Sequence, residues 1–325
     1  MRFMKMIGIT LIAFAFIFSS PSAWAKEDYP NKPIQIIIPF PAGGPVDLMG
    51  RIIGEKMVEY LGQQVIIVNK PGGGTAVAWG YVAGSKPDGY TLFGYPAMLL
   101  VVTPLTMPTL PLKTTDFIPV GRMVNFNFII VVNKDLPAKT LHDLVAYVKK
   151  NPGILSYGGS TFGSAQHLIG ELLKQNNGLD LQFIPFAGEN PAITALLGNH
   201  IQVGIFTVFQ SSHVKSNSVQ GLAVLSAKRD PLLPGMPTAL EQGFPDLVVS
   251  AGYTLLLAPA RTPVPVVKKL ESALEKALQD KSVREKLEKI ELTADFLNSE
   301  GTQTFLENEV KKWSPVVKKA NIVIK

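Results

Sequence analysis

The chain has 325 residues, of which 46% are hydrophobic, 17% charged and 9% aromatic, with a formal net charge of +6. That composition is too apolar and too weakly charged for a disordered chain, and at roughly 100–200 residues per domain the length fits two domains. The absence of cysteine excludes disulfides, thiolate metal sites and cysteine nucleophiles.

Residues 1–25 read as an export signal. Arg2 and Lys5 precede the apolar run Met6 to Phe18, and Pro21 is followed by Ala23-Trp24-Ala25, an A-x-A pattern before Lys26. An uncleaved N-terminal anchor is the alternative. No cysteine follows the run, so there is no lipid-anchor site, and export without cysteine fits a bacterial periplasm. Without these residues the net charge falls to +4. The lysines come mostly as Lys-Lys pairs interleaved with glutamate on helical faces, which argues against nucleic-acid binding.

Further along, Ile34 to Ile38 is almost wholly apolar, as in a strand buried on both faces. Phe40-Pro41-Ala42-Gly43-Gly44 breaks it. The spacing of Leu48, Met49, Ile52, Ile53, Met57 and Leu61 predicts a helix from Pro45 to Leu61, closed by Gly62. A strand over 65–68, the run Asn69-Lys70-Pro71-Gly72-Gly73-Gly74, a short helix to Ala83 and a strand over 91–94 follow. A second series starts with a strand over 128–132. It continues through a helix over 141–150, a strand over 154–157, the loop Gly158 to Gly163 and a helix over 164–174. A strand over 183–185, a helix over 191–197 and strands over 201–206 and 222–226 complete it. A late strand covers 253–257. The tail from Pro265 reads as helical, with Val267, Leu270, Leu274 and Leu278 in one stripe and a capping box from Ser282 to Glu285. This alternation predicts an α/β fold with mostly parallel sheets and a ligand at the carboxyl ends of strands.

Two glycine-rich loops, at Gly43-Gly44 and at Gly158 to Gly163, sit where a strand opens into a helix. Unpaired backbone N–H groups and the helix dipole make each a candidate carboxylate or phosphate cradle, with Ser160, Thr161 and Ser164 as extra donors. Taken singly, each is better explained as a tight turn; two of them, one per series, point to an anion site between. His167 lies one turn into the second helix, within reach of a ligand, though packing or capping explains it as well. Enzyme motifs do not form. The third dinucleotide-fingerprint position falls on Val77, no P-loop occurs, Ser160 adjoins Gly159 instead of centring a G-x-S-x-G elbow, and the four histidines lack metal spacing. No catalytic residue, metal or cofactor is expected.

Several segments are held in common with one family: Tyr29-Pro30-Asn31-Lys32-Pro33-Ile34, Pro39 to Gly44 with Asp47, Asn69-Lys70-Pro71-Gly72, and Lys86 to Leu92. Ser156-Tyr157-Gly158, Gly163-Ser164, His167-Leu168, Gly170-Glu171-Leu172 and Leu225 to Arg229 extend the set. Together they resemble the tripartite tricarboxylate transporter receptors, the Bug family of periplasmic binding proteins. The resemblance implies a two-domain, type II-like periplasmic-binding-protein fold with crossovers near Asn127 and Ser250. One domain would be 26–127 plus 251–325 and the other 128–250, with the ligand between them. It implies one ligand carboxylate held by backbone amides and waters at Phe40, Pro41, Ala42, Gly43 and Gly44. The other end would meet Gly159, Ser160, Thr161, Phe162, Gly163 and Ser164, with His167, Gly188 and Thr207 beside it. Asp47 is expected at the third helical position, bonding loop amides. The closed receptor would dock on membrane subunits of the transporter.

This chain departs from the family pattern at Pro45-Val46, where Ser-Thr is usual, and at Thr207, where Asp is common. With Phe162 and Phe209 nearby, these changes favour a dicarboxylate or an aromatic acid over an amino acid, unless Glu189 swings in to supply the missing charge. The expectation is a monomeric periplasmic receptor without enzymatic activity. The alternatives are an exported sensor presenting a carboxylate to a membrane signalling protein, and a serine hydrolase using Ser160 or Ser164.

Overall fold

The structure is a computed structural model and describes residues 29–249 and 252–323. The segment expected to be an export signal, residues 1–25, and Ser250 lie outside the described residues.

The first part of the chain forms β1 (Ile34–Ile38), α1 (Pro45–Leu61), β2 (Val65–Asn69), α2 (Ala76–Ala83), β3 (Thr91–Pro96), α3 (Ala97–Thr106) and β4 (Phe117–Asn125). The middle forms β5 (Phe128–Asn133), α4 (Leu141–Lys150), β6 (Ser156–Gly158), α5 (Ala165–Asn177), β7 (Gln182–Phe183), α6 (Glu189–Leu197), β8 (Val203–Thr207), α7 (Ser211–Lys215) and β9 (Val219–Val224). The last part forms β10 (Thr254–Pro259), α8 (Val264–Gln279), α9 (Lys281–Glu288), β11 (Thr293–Asn298) and α10 (Ser299–Ala320).

Two sheets result, one ordered β11-β4-β10-β3-β1-β2 and the other β7-β6-β8-β5-β9. The chain leaves the first sheet after β4 and returns to it at β10, giving a mixed α/β, two-domain fold. Where the two passes meet, the Phe126 N–H donates to the Gly252 carbonyl at 3.3 Å. The sheets are less parallel than the alternation suggested. Parallel pairing is confined to β1–β2, β1–β3, β6–β7 and β6–β8. β10 runs antiparallel to β3 and β4, β11 to β4, and β5 to β8 and β9. For β10 and β5 the reason is the crossing: a strand that enters from the other sheet needs no helical return over its own sheet, so its direction is free.

Helix α1 shows why the framework forms. Pro45 opens it and Gly62, at φ 67, closes it, while Met49, Ile53, Met57 and Leu61 are buried along one face. At roughly 1.5–3 kcal/mol per buried side chain, that face outweighs the marginal stability of an isolated helix. α10 packs on α3 and reaches α5. There Gln175 Nε2 donates to the Val316 carbonyl at 3.1 Å and Lys312 Nζ to the Val248 carbonyl at 2.7 Å. Among the described residues no helix is long and apolar enough to cross a membrane.

The helical tail is interrupted by β11, an edge strand beside β4. The expected Ser282–Glu285 capping box is also absent. Asp280 caps α9 instead, accepting from Ser282 N–H at 2.8 Å and Val283 N–H at 3.3 Å, and Ser282 lies inside the helix. The helix starts earlier than expected because a carboxylate two residues upstream, a stronger acceptor than a hydroxyl, takes the orphan N–H groups of Ser282 and Val283.

Candidate functional site

β1 and β2 run parallel with Ile38 opposite Asn69, so both end at one edge. There Asp47, the third residue of α1 and 1% exposed, organises the loop. Its Oδ2 accepts from Gly43 N–H at 2.8 Å and Arg51 Nε at 3.1 Å; its Oδ1 accepts from Asn69 Nδ2 and Arg51 Nη2, both at 2.9 Å. Asn69 Nδ2 also donates to the Phe40 carbonyl at 3.0 Å. Burial alone would raise the Asp47 pKa. The hydrogen bonds from Arg51, Gly43 and Asn69 together outweigh it and hold the carboxyl below its usual range. Gly43 has φ +86, which only glycine adopts readily, and its N–H is already committed to Asp47. Pro41, Ala42 and Gly43 are exposed and Gly44 is half-buried.

The second loop follows β6. Ser164 caps α5, its Oγ accepting from His167 N–H at 3.3 Å, while His167 Nδ1 accepts from Gly163 N–H at 3.0 Å. The imidazole lies against Phe183, with ring centroids 3.9 Å apart and planes at 16°. Burial pushes its pKa down to about 4, so it is neutral at pH 7 and free to accept at Nδ1. His167 therefore braces the loop from behind. Gly159 is buried, and a Cβ there would sit 2.2 Å from the Ile205 carbonyl, so close strand packing requires this glycine. Gly188 caps α6 at φ 120.

Between the two sheets lies a cavity of about 570 Å³, within the usual size of small-molecule sites. Of the residues singled out from the sequence, Phe40, Ser160, Thr161, Phe162, Gly163, Ser164 and Thr207 line it. Pro41, Ala42, Gly43, Gly44, Asp47, Gly159, His167 and Gly188 stand outside its lining, at the rim or behind it. Phe209 packs on Phe126, with centroids 5.4 Å apart, and it is Phe126 that lines the cavity.

Much of the apolar wall comes from residues the sequence did not single out, Met98, Leu99 and Met107 at α3 with Phe126 and Phe128, and Val46, the departure noted from the family pattern, adds to it. Thr75 and Thr103 also line it, and the buried Tyr95 hydroxyl joins both. Burial raises the Tyr95 pKa to about 12, so this trio stays neutral. A signal for it existed. Gly72-Gly73-Gly74 is a third glycine-rich strand end, and it leaves Thr75 at φ 82, an unusual conformation for a β-branched residue.

A sequence model of a family described as the tripartite tricarboxylate transporter family receptor matches residues 49–322. The chain belongs to this receptor family. BugT of Bordetella pertussis (strain Tohama I) is 32% identical over 327 residues, covering 100% of this chain and 99% of its own. A solved structure of the periplasmic binding protein BugD is 31% identical with TM-score 0.73, over 91% of this chain and 100% of its own. MatC of Rhodopseudomonas palustris, solved with bound malate, is 28% identical with TM-score 0.73, over 89% and 100%. The R. palustris protein Rpa4515, solved with adipate, is 29% identical with TM-score 0.74, over 91% and 99%.

In this receptor Glu189, at the start of α6 and weighed from the sequence as a source of the charge missing at Thr207, does stand beside Thr207. Its Oε1 accepts from Thr207 N–H at 2.8 Å and Gln166 Nε2 at 2.7 Å, and its Oε2 accepts from Thr207 Oγ1 at 2.7 Å. Burial raises its pKa, a shift the bonds from Thr207, Gln166 and Gln210 oppose. Glu189 does not line the cavity, but both Thr207 and Gln166 do.

Proposed function

We propose that this receptor works in the periplasm, where it captures a small organic carboxylate between its two domains and delivers it to the membrane subunits of a tripartite tricarboxylate-type transporter. One observation carries the reading. Unpaired N–H groups in the first turn of α5 and the hydroxyls of Ser160, Thr161 and Ser164 gather on one side of a cavity whose other walls are mainly apolar. Donors grouped at one end suit a carboxylate, and the apolar walls suit a hydrocarbon body. The malate and adipate held by relatives of the same fold support a dicarboxylate, and Phe162, Phe126 and Phe128 leave an aromatic acid open as the alternative body.

In this reading Phe40, Ser160, Thr161, Phe162, Gly163, Ser164 and Thr207 touch the ligand. Pro41, Ala42 and Gly44 join when the domains close, and Asp47, Gly43, Gly159, His167 and Gly188 hold the loops in shape. The domains would be 26–127 with 251–325, and 128–250. The mature chain, cut after Ala25, acts as a monomer and does no chemistry on its ligand. Mass spectrometry of the exported protein tests the cut.

The decisive experiment is thermal unfolding of the mature protein with C4 to C6 dicarboxylates and with benzoate-type acids. A ligand at a hundred times its Kd stabilises by about 2.7 kcal/mol, a readily measured rise in Tm. A melting curve unmoved by every acid would defeat the reading, as would ester turnover abolished in Ser160→Ala.

A further inference from the structure

Thr207 has two hydrogens to donate, and Glu189 receives both. The Thr207 N–H goes to Oε1 at 2.8 Å and the hydroxyl to Oε2 at 2.7 Å. A carboxylate has no proton of its own to give, so the direction of both bonds is set. Because Thr207 lines the cavity, all that its hydroxyl can still offer a ligand is lone pairs. Beside it, Gln166 also spends one amide hydrogen on Oε1, at 2.7 Å. The cavity therefore has unlike ends: donors at Ser160 to Ser164, and an acceptor at Thr207.

We propose that Glu189, acting through Thr207, is the residue that makes this receptor select a carboxylic acid carrying a hydroxyl group over the corresponding oxo acid. The proposal rests on the carboxylate reading above. A ligand hydroxyl placed at Thr207 donates to the waiting oxygen. An oxo oxygen in the same place sets two acceptors face to face with no proton between them, and both lose their hydration without compensation. An ammonium group donates too, but it brings three hydrogens and a full charge to a place where Thr207 Oγ1 and the neighbouring Gln166 amide oxygen are both neutral acceptors, so the hydroxyl is the better match.

Isothermal titration of the mature protein with 2-hydroxyglutarate, 2-oxoglutarate and glutamate tests this. The wild type binds the hydroxy acid about tenfold more tightly than the oxo acid, the difference one net hydrogen bond makes. In Glu189→Gln the new amide has one workable orientation. Its oxygen must face the donors Thr207 N–H and Gln166 Nε2, which leaves its NH2 donating to Thr207 Oγ1. That frees the Thr207 hydroxyl proton for the cavity, and the preference falls to about unity or reverses. Thr207→Val brings the ratio near unity without reversal, and Thr207→Ser retains it. These last two decide the matter even if Glu189→Gln does not fold. A wild-type ratio near unity with both acids bound overturns the proposal and leaves the carboxylate reading standing. So does a ratio unchanged in Glu189→Gln or Thr207→Val, or tighter binding of glutamate. If neither acid nor any other carboxylate binds, both fall together.

Discussion

Asp47→Asn isolates the brace of the first loop. Each Asp47 oxygen faces two donors: Gly43 N–H and Arg51 Nε at one, Asn69 Nδ2 and Arg51 Nη2 at the other. An asparagine must present its NH2 to one of these pairs. The Arg51 side chain is half exposed and can turn to water, so losing it costs under about 1 kcal/mol. The other donor has no such escape. Gly43 N–H is fixed by the backbone, and Asn69 cannot flip its amide without giving up the Phe40 carbonyl. The donor left without a partner is only part-buried, so its loss costs about 1 kcal/mol, and the substitution should destabilise by about 1–2 kcal/mol. For a chain of this size that is a fall in Tm of about 2–3 °C, with carboxylate affinity falling as the loop loosens. Thermal unfolding at pH 7 with calorimetric titration of the same sample measures both, and Arg51→Ala is the control with a small effect. The folded Asp47 pKa lies below the unfolded value of about 3.9, so its contribution is complete above about pH 4 and is lost as the pH falls through the folded pKa. The gap between wild type and variant should therefore narrow in acid. A variant melting within about 1 °C of wild type at pH 7 would refute the reasoning.

Gly43→Val meets no atom within 4 Å but must hold φ +86, costing about 1–2 kcal/mol in the loop. We expect about a tenfold loss of ligand affinity against none for Lys281→Ala, whose side chain is 91% exposed, and equal effects would remove the first loop from the site. Phe162 is 45% exposed, so Phe162→Ala should leave Tm unchanged while weakening aromatic or long-chain acids about fivefold more than short ones; a uniform loss would contradict its place beside the ligand body. For His167 the folded pKa of about 4 lies below the unfolded 6.5, so stability is full above pH 6.5 and declines as the pH drops toward 4. His167→Gln should flatten that slope in a Tm-against-pH series, and an unaltered slope would assign it to other groups.

Legibility followed the kind of signal each element carries. α1 announced itself through Pro45, Gly62 and an apolar stripe. α3 did not, because Ala97 to Thr106 is apolar all round and contains Pro104, so neither an amphipathic period nor an uninterrupted run marks a helix. With α3 went Met98, Leu99 and Thr103, much of the cavity's apolar wall. Glycines can hide a second role. Gly159 reads from the sequence as part of a ligand cradle, and the Ile205 carbonyl gives it a packing reason that the sequence does not reveal, since it excludes any side chain there. The tie of Glu189 to Thr207 joins residues 18 apart through the end of β8, a contact no local pattern encodes.

The two loops share a construction that neither glycine run reveals by itself. In each, a glycine at positive φ donates its N–H to the third residue of the following helix: Gly43 at φ 86 to Asp47, and Gly163 at φ 77 to His167. Both helices thereby use the side chain of their third residue as the acceptor that holds the entry turn, and the N–H spent on it belongs to the loop. The difference lies in charge. Asp47 places a carboxylate at the N-terminus of α1, offsetting the positive end of that helix dipole, with half-exposed Arg51 as its partner. His167 is neutral, so α5 keeps the full attraction of its N-terminus for an anion. The α5 loop also lines the cavity from Ser160 to Ser164, whereas the first loop contributes Phe40 and Val46 at its two ends. Under the proposed carboxylate reading, equal-looking glycine loops would thus divide the work: the second would offer the stronger anchorage for a carboxylate, and the first a braced rim that adds apolar surface beside it.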